Sequence, residues 1–299
     1  MNTHSPRYIG RFAPSPTGPL HLGSMLTALA SYLDAKSNKG LWLVRIDDLD
    51  PPRAANGACG QILNTLERFQ LNWDDEVVYQ SQRHSHYQDY LQRCIALKLA
   101  YRCTCSRNKI IAAGGIYAGT CLTSPPPRDE KTYAIRIKSP KTPIKFKDQC
   151  QGEVKQHIPS TVGDFIIKRK DGLYAYHLAC AVDDHLQGIT HIVRGRDLMD
   201  STPRQIYLQQ VLGFSTPSYL HLPVVVNSKG QKLSKQTHAP NVAQLPVKDT
   251  LYHLLFALGL TPPESIKDNI GLMLDWGIDH WRSRDTINKQ SIIESSLNF

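Results

Sequence analysis

Several residues of this chain have types and spacings that could do chemistry. His21 and Gly23 follow a loop stiffened by Pro14, Pro16 and Pro19 and relaxed at Gly18. An imidazole there, with unpaired backbone N–H groups beside it, suits phosphate oxygens. Asp47 opens the acidic run Asp47-Asp48-Leu49-Asp50. Arg11 and Arg194 lie far apart in the chain, and a pair of guanidinium forks suits a dicarboxylate. The basic run Lys229-Gly230-Gln231-Lys232-Leu233-Ser234-Lys235 carries flexible ammonium groups able to neutralise phosphate charge. Cys103, Cys105 and Cys121 are grouped, which gives three soft ligands and leaves the fourth position of a tetrahedral zinc set open.

The elements that must position these groups read as follows. Tyr8–Phe12 is a strand, and a helix runs from Met25 to about Lys36, so the stiff loop stands between strand and helix N-terminus. Leu41–Ile46 is a continuous apolar run, the pattern of a buried parallel strand, and Asp47 falls at its C-terminal end, where open α/β sheets bind ligands. Amphipathic helices are expected over Cys59–Gln70 and Tyr87–Leu99, around a short strand from Val77. Strands are expected over Tyr133–Lys138, Ile144–Asp148 and Asp164–Arg169, the last paired with Leu173–Leu178 through a Lys170-Asp171-Gly172 turn. A helix over Ala179–Gln187 and a strand over Ile189–Gly195 place Arg194 at another strand end. Asp183-Asp184-His185 read as structural or crevice-lining. A helix follows over Thr202–Leu212, then a last sheet strand over His221–Val226 and a helix from Val247 to Gly259. Further short helices are expected from Pro263 to about Asp275 and from Asp279 to Arg284.

Composition sets the outer limits. At 299 residues, 41% hydrophobic and 20% charged, the chain can bury a large core in two or three domains. No apolar run reaches membrane-spanning length and the first residues show no apolar core, so the expectation is a cytoplasmic protein without a membrane partner. The net charge of +9 points to a polyanionic partner. Seven cysteines, an odd number, argue against a fully paired disulfide framework. Cys59, Cys94, Cys150 and Cys180 read as packed thiols.

The string Arg11-Phe12-Ala13-Pro14-Ser15-Pro16-Thr17-Gly18-Pro19-Leu20-His21-Leu22-Gly23-Ser24 resembles the first signature of class I aminoacyl-tRNA synthetases, in the form of the glutamyl branch. Ser24 stands where the general motif has a second histidine. Lys232-Leu233-Ser234-Lys235-Gln236 is similar to the second signature, Lys-Met-Ser-Lys-Ser, with Leu233 for Met and Gln236 for Ser. The spacing of Cys103, Cys105, Tyr117 and Cys121 resembles the zinc site of the short glutamyl-synthetase paralogues, which makes Tyr117 the fourth ligand and the zinc structural. The resemblance covers about residues 7 to 260.

That resemblance implies a Rossmann-type doubly wound parallel sheet, α/β in class, with an inserted zinc-containing α+β domain and a short C-terminal helical segment. The expected divisions are 1–100 and 179–245 for the two halves of the Rossmann domain, 101–178 for the insertion and 246–299 for the C-terminal segment. The implied catalytic residues are His21, Lys232 and Lys235, with His21, Gly23 and Lys235 on ATP. Glutamate would meet Arg11, Phe12, Ala13, Pro14, Ser15, Asp47, Tyr176 and Arg194, with Asp47 on the α-ammonium. The implied reaction is tRNA-independent activation of L-glutamate by ATP, with magnesium, to glutamyl-adenylate. Glutamate then passes to the queuosine base in the anticodon of tRNA(Asp). A monomer is expected. The alternatives are a truncated glutamyl-tRNA synthetase charging the 3′ end of tRNA(Glu), or a non-catalytic tRNA-binding paralogue. The first would need an anticodon-reading helical domain, for which the 246–299 segment is too short.

Overall fold

The computed structural model describes residues 7–226 and 241–281, with the backbone of 291–293. The chain begins with β1 (Ile9–Phe12), α1 (Leu22–Ser37), β2 (Leu41–Ile46), α2 (Ala58–Arg68), β3 (Val78–Tyr79) and α3 (His84–Ala96). It continues through β4 (Ala100–Cys103), the short helices α4 (Arg107–Ala112) and α5 (Thr120–Thr123), then β5 (Ala134–Ile137) and β6 (Ile144–Asp148). Next come β7 (Gly152–Gln156), α6 (Ile158–Thr161), β8 (Phe165–Lys168), α7 (Tyr176–Leu186), β9 (His191–Gly195) and α8 (Thr202–Leu212). Last are β10 (Ser218–Leu222), β11 (Val224–Val226), α9 (Val247–Ala257), α10 (Ile270–His280) and β12 (Ser291–Ile293).

The main sheet has seven strands in the order β3-β2-β1-β9-β10-β6-β7, all neighbours parallel except the β6–β7 hairpin. β2, with five of its six residues buried, is the continuous apolar strand that a sheet covered on both faces requires. One face packs α1, α9 and α10 around Leu29, Trp42, Leu254 and Trp281. The other packs α3, α7 and α8 around Tyr87, Leu178, Ile192 and Leu208. Since β1 pairs with β2 on one side and β9 on the other, the strand order reverses between β1 and β9. A ligand crevice opens at such a switch point, beyond the carboxyl ends of the strands.

The structure departs from the sequence-based expectations at several elements. α1 begins at Leu22, earlier than Met25, because His21 caps it: its Nδ1 accepts the Ser24 N–H at 3.2 Å. Across residues 101–178, β4, β5 and β8 make a separate three-stranded sheet, while β6 and β7 extend the edge of the main one. The turn after β8 forms, with Gly172 at φ +88°, but only Lys168 and Tyr174 bridge, and the chain enters α7 at Tyr176. The strand expected over His221–Val226 is two strands, β10 and β11, divided at Pro223, whose ring nitrogen has no hydrogen to give a ladder. The break expected between Asp275 and Asp279 is absent: α10 runs through Gly277. A Cβ there would lie 3.1 Å from both Leu33 and Leu255, so this glycine serves close helix packing. The stretch from Arg282 to Arg284 lies outside the described residues.

Among the described residues no helix is long and apolar enough to cross a membrane. The seven cysteines are all free. Cys94, Cys150 and Cys180 are buried and Cys59 is half-buried.

One polar knot ties the N-terminal strand, α1 and the C-terminal helices together. Buried Asp34 on α1 accepts from the Tyr8 hydroxyl and from Trp281 Nε1–H at 2.8 Å. Asp34→Ala removes the acceptor shared by these two buried donors, so it should lower unfolding free energy by about 2–4 kcal/mol, read by urea denaturation of the otherwise intact protein.

Candidate active site and thiol cluster

The loop after β1 is fixed by covalent and hydrogen-bonded restraint. Gly18 sits at φ +138°, a conformation L side chains rarely adopt, and the Asp47 and Ala55 N–H groups bond to the Pro14 and Pro16 carbonyls at 2.9 Å. Gly23 leaves room for the His21 ring: a Cβ there would lie 3.3 Å from it. With Nδ1 accepting from the backbone, the ring's Nε2 carries the proton and faces Ser24 Oγ at 3.0 Å. Leu20 and His21 also hold the chain that follows the basic run, through a Val242 N–H bond to the Leu20 carbonyl and a bridge between His21 and Asn241.

A cavity opens over this loop at the switch point. Its wall includes Arg11, Phe12, Ala13, Pro14, Ser15, His21, Gly23, Tyr176 and Arg194. The glutamate- and ATP-contacting residues expected from sequence are therefore brought together here, with two exceptions. Asp47 lines an adjoining second cavity that shares Ser15 and Tyr176 with the first. Lys232 and Lys235 lie outside the described residues.

The electrostatics beneath the first cavity were not legible in the sequence. Arg45, fully buried on β2, donates to Asp47 at 2.7 Å, to Asp184 at 2.8 Å and to Gln187 at 3.1 Å. Arg11 uses its Nε on Asp184 at 3.2 Å, and Asp183 accepts from Gln80, Arg83 and Tyr87. Asp184 is shielded from the upward push of burial by Arg11 and Arg45, and its pKa is lowered. Asp47 is not: burial raises its pKa despite the Arg45 charge and hydrogen bond. Cys180, kept as a thiol by burial, donates to Asp47 at 3.5 Å. Asp183 and Asp184 are thus the acidic base of the site, and His185 stacks on Phe214 outside it. The available signal was an arginine inside an apolar strand.

Arg194 stands apart from that network. It is 3% exposed, yet among the described residues it meets no carboxylate. Its Nε donates to His221 Nε2 at 3.1 Å, Nη2 to the Thr202 hydroxyl at 2.7 Å, and Nη1 reaches the Tyr176 oxygen at 3.5 Å. His221 can accept because its Nδ1–H is given to Asp148 at 2.6 Å. Burial and the Arg194 charge hold the imidazole neutral against the pull of Asp148. Asp148, pushed up by burial, is brought below the usual carboxylate range by His221 and the N–H groups of Gln151 and Cys150. Asp148, His221 and Thr202 were missed from sequence. A histidine in the buried run Tyr219-Leu220-His221-Leu222 was their only trace. A buried guanidinium fixed by neutral partners beside a cavity keeps its charge for an anionic ligand.

The grouped cysteines converge on the far side of the second cavity. The sulfurs of Cys103, Cys105 and Cys121 lie within 4.8 Å of one another. The Tyr117 hydroxyl oxygen is 3.4 Å from Cys103 Sγ and accepts the Cys121 N–H at 2.9 Å. Burial works against a thiolate at Cys121, but hydrogen bonds from the Thr104 backbone, Tyr117, Cys105 and Cys103 pull it down to about 6. Burial pushes Cys105 up to about 11. Three thiols and a phenol oxygen at this separation, one thiol already acidic, fit a soft or borderline divalent metal. Gly163 permits it: at φ +73° it bridges Tyr117, and a Cβ there would collide with the Tyr117 backbone.

A mostly parallel sheet with a stiff strand-to-helix loop at its switch point and an arginine-lined crevice is the architecture of nucleotide-binding α/β proteins. Residues 9–258 match the family model of the class I tRNA synthetases (E and Q), catalytic domain, so the chain belongs to the glutamyl and glutaminyl family of class I aminoacyl-tRNA synthetases and is a ligase. It is 47% identical over 291 residues to a glutamyl-Q tRNA(Asp) synthetase of Pseudomonas paraeruginosa, covering 97% of this chain and 99% of that one. It is 48% identical over 275 residues to the Pseudomonas aeruginosa protein of the same name, covering 92% and 93%. The glutamate-tRNA synthetase of Elizabethkingia anophelis shares the fold, with a TM-score of 0.82 at 24% identity, over 97% of this chain and 69% of that one.

His221→Leu removes the acceptor that holds Arg194. In an ATP–pyrophosphate exchange assay the KM for the amino acid should rise about tenfold while that for ATP stays within about twofold, the loss expected for one misaligned charge-assisted contact.

Proposed function

We propose that the chain activates L-glutamate with ATP, without tRNA, and transfers the glutamyl group to the queuosine base in the anticodon of tRNA(Asp). The observation that carries this reading is end-to-end similarity to relatives bearing the name glutamyl-Q tRNA(Asp) synthetase, at 47% identity over 97% of this chain and 99% of the relative. The site chemistry supports it. Arg194, buried without a carboxylate partner among the described residues, offers its charge to the glutamate side chain or α-carboxylate, with Arg11 on the same cavity wall. Asp47 takes the α-ammonium, and an ammonium beside it would favour its charged form.

His21, Gly23 and the N-terminus of α1 receive the ATP phosphates, and Lys232 and Lys235 supply charge as pyrophosphate departs. The substrate carboxylate attacks the α-phosphorus in line. The protein's share of this step is position and charge, with no covalent intermediate needed. A hydroxyl of the queuosine ring then attacks the glutamyl carbonyl and displaces AMP. The net charge of +9 suits the RNA partner.

Cys103, Cys105, Tyr117 and Cys121 are the residues that would hold one zinc ion, with a structural role, since four protein ligands leave no open position. Cys103→Ser should lower zinc from about one to well below one per chain by plasma mass spectrometry and reduce the Tm, and a full zinc complement in the variant would sink this ligand set.

The acceptor is tested with the isolated anticodon stem-loop of tRNA(Asp) and labelled glutamate. Label should appear in the queuosine nucleoside, and a stem-loop with guanosine at that position should take none. Charging of the 3′ end of tRNA(Glu) with an unlabelled queuosine nucleoside would replace this reading by a truncated glutamyl-tRNA synthetase.

A further inference from the structure

The second cavity carries arginines outside the set assigned above to the amino acid and ATP. It adjoins the first across Ser15 and Tyr176 and is walled partly by the β5–β8 sheet. Four arginines line it, and two of them are satisfied: Arg53 and Arg169 share Asp50 at 2.7 and 3.0 Å, and Arg169 also holds Asp171 at 2.6 Å. The cavity's other carboxylate, Asp47, is engaged by Arg45.

Arg136 and Arg204 differ. Among the described residues neither has a carboxylate within ion-pairing distance. Arg136 is 6% exposed. Its Nε donates to Cys103 Sγ at 3.2 Å, its Nη1 to the Asp164 carbonyl at 2.6 Å, and its guanidinium lies 3.8 Å over the Tyr117 ring. That leaves Nη2 without a hydrogen bond, on a head held rigidly from behind by the thiol cluster. Arg204 gives one Nη2 bond to the Asp200 carbonyl at 3.3 Å, and its buried Nε has no partner. The Nδ1 atom of His177 on the same wall is also buried and unpartnered.

Of these atoms the Arg204 Nε and the His177 Nδ1 are buried, and leaving them unmet costs free energy. The planar forks of the two arginines match tetrahedral phosphate oxygens, and both line the cavity that adjoins the first across Ser15 and Tyr176. We propose that Arg136 and Arg204 bind backbone phosphate of the RNA acceptor next to the nucleotide that takes the glutamyl group, Arg136 being aimed by Cys103 and Tyr117. The two arginines are positioning residues for the transfer step, and the assignment rests on the acceptor reading above.

The test compares wild type with Arg136→Gln and Arg204→Gln, each by three measurements. ATP–pyrophosphate exchange should remain within about twofold of wild type. Transfer to the queuosine-bearing stem-loop should lose about tenfold in kcat/KM, the fold-change of one charge-assisted contact. The slope of log affinity against log salt for the fluorescently labelled stem-loop should fall by about 0.7 in each variant, the signature of one lost phosphate contact on a single strand. A packing defect alone would not move that slope. Unchanged slopes, or exchange falling in step with transfer, would overturn the proposal. If wild type leaves the queuosine nucleoside unlabelled while both slopes fall, the acceptor reading fails and the phosphate site stands. Labelled queuosine with unchanged slopes rejects the phosphate site and keeps the acceptor reading.

Discussion

The site depends on one buried cation. Arg45 sits in the middle of the sheet with no solvent contact, and holding it there demands compensation from several directions: Asp47 at the end of its own strand, Asp184 and Gln187 from α7 and the residue after it. Removing one member of such a cluster leaves an uncompensated charge, at a cost of about 3–5 kcal/mol. The cluster therefore fixes α7 against β2. Through Asp184 it also fixes Arg11 on β1, and Tyr176 follows because it opens α7. Residues from the two halves of the chain become one crevice wall through these ion pairs.

A second chain of contacts does the same for Arg194. Asp148 on β6 orients His221 on β10, and His221 orients Arg194 on β9, so three neighbouring strands each contribute one group. This gives the β6–β7 hairpin a purpose at the sheet edge: its aspartate selects the histidine tautomer that can accept from an arginine. Because the partners of Arg194 among the described residues are neutral, none of them cancels its charge before a ligand arrives. Arg45 is neutralised by aspartates and contributes mainly to shape, while Arg11 gives its Nε to Asp184 and still lines the first cavity.

The thiol cluster and the crevice are connected by Arg136, which touches Cys103 and the Tyr117 ring with one edge and lines the second cavity with the rest. The thiol cluster can in this way set the position of a side chain in the wall of the second cavity. It need not perform chemistry to matter for the reaction.

Some of this was written in the sequence. The β1–loop–α1 unit follows from three prolines, Gly18 and Gly23, because each restricts or releases backbone torsions locally. β2 is a run of apolar residues, and α8 was legible from Thr202 to Leu212 because proline favours a helix's first turn. Tertiary structure decided the rest. β6 and β7 joined the main sheet because strand pairing is a long-range choice that a five-residue pattern does not encode. Tyr176 opened a helix where alternation suggested a strand, because α7 had to present Asp183 and Asp184 to arginines from β1, β2 and the start of α3. His221, Asp148 and Thr202 carry no motif: they matter only through a proton's position among three strands. Local torsional chemistry is determined residue by residue, and the sequence by itself determines it. Where a buried charge finds its partners depends on elements far apart in the chain, and only their packing decides it.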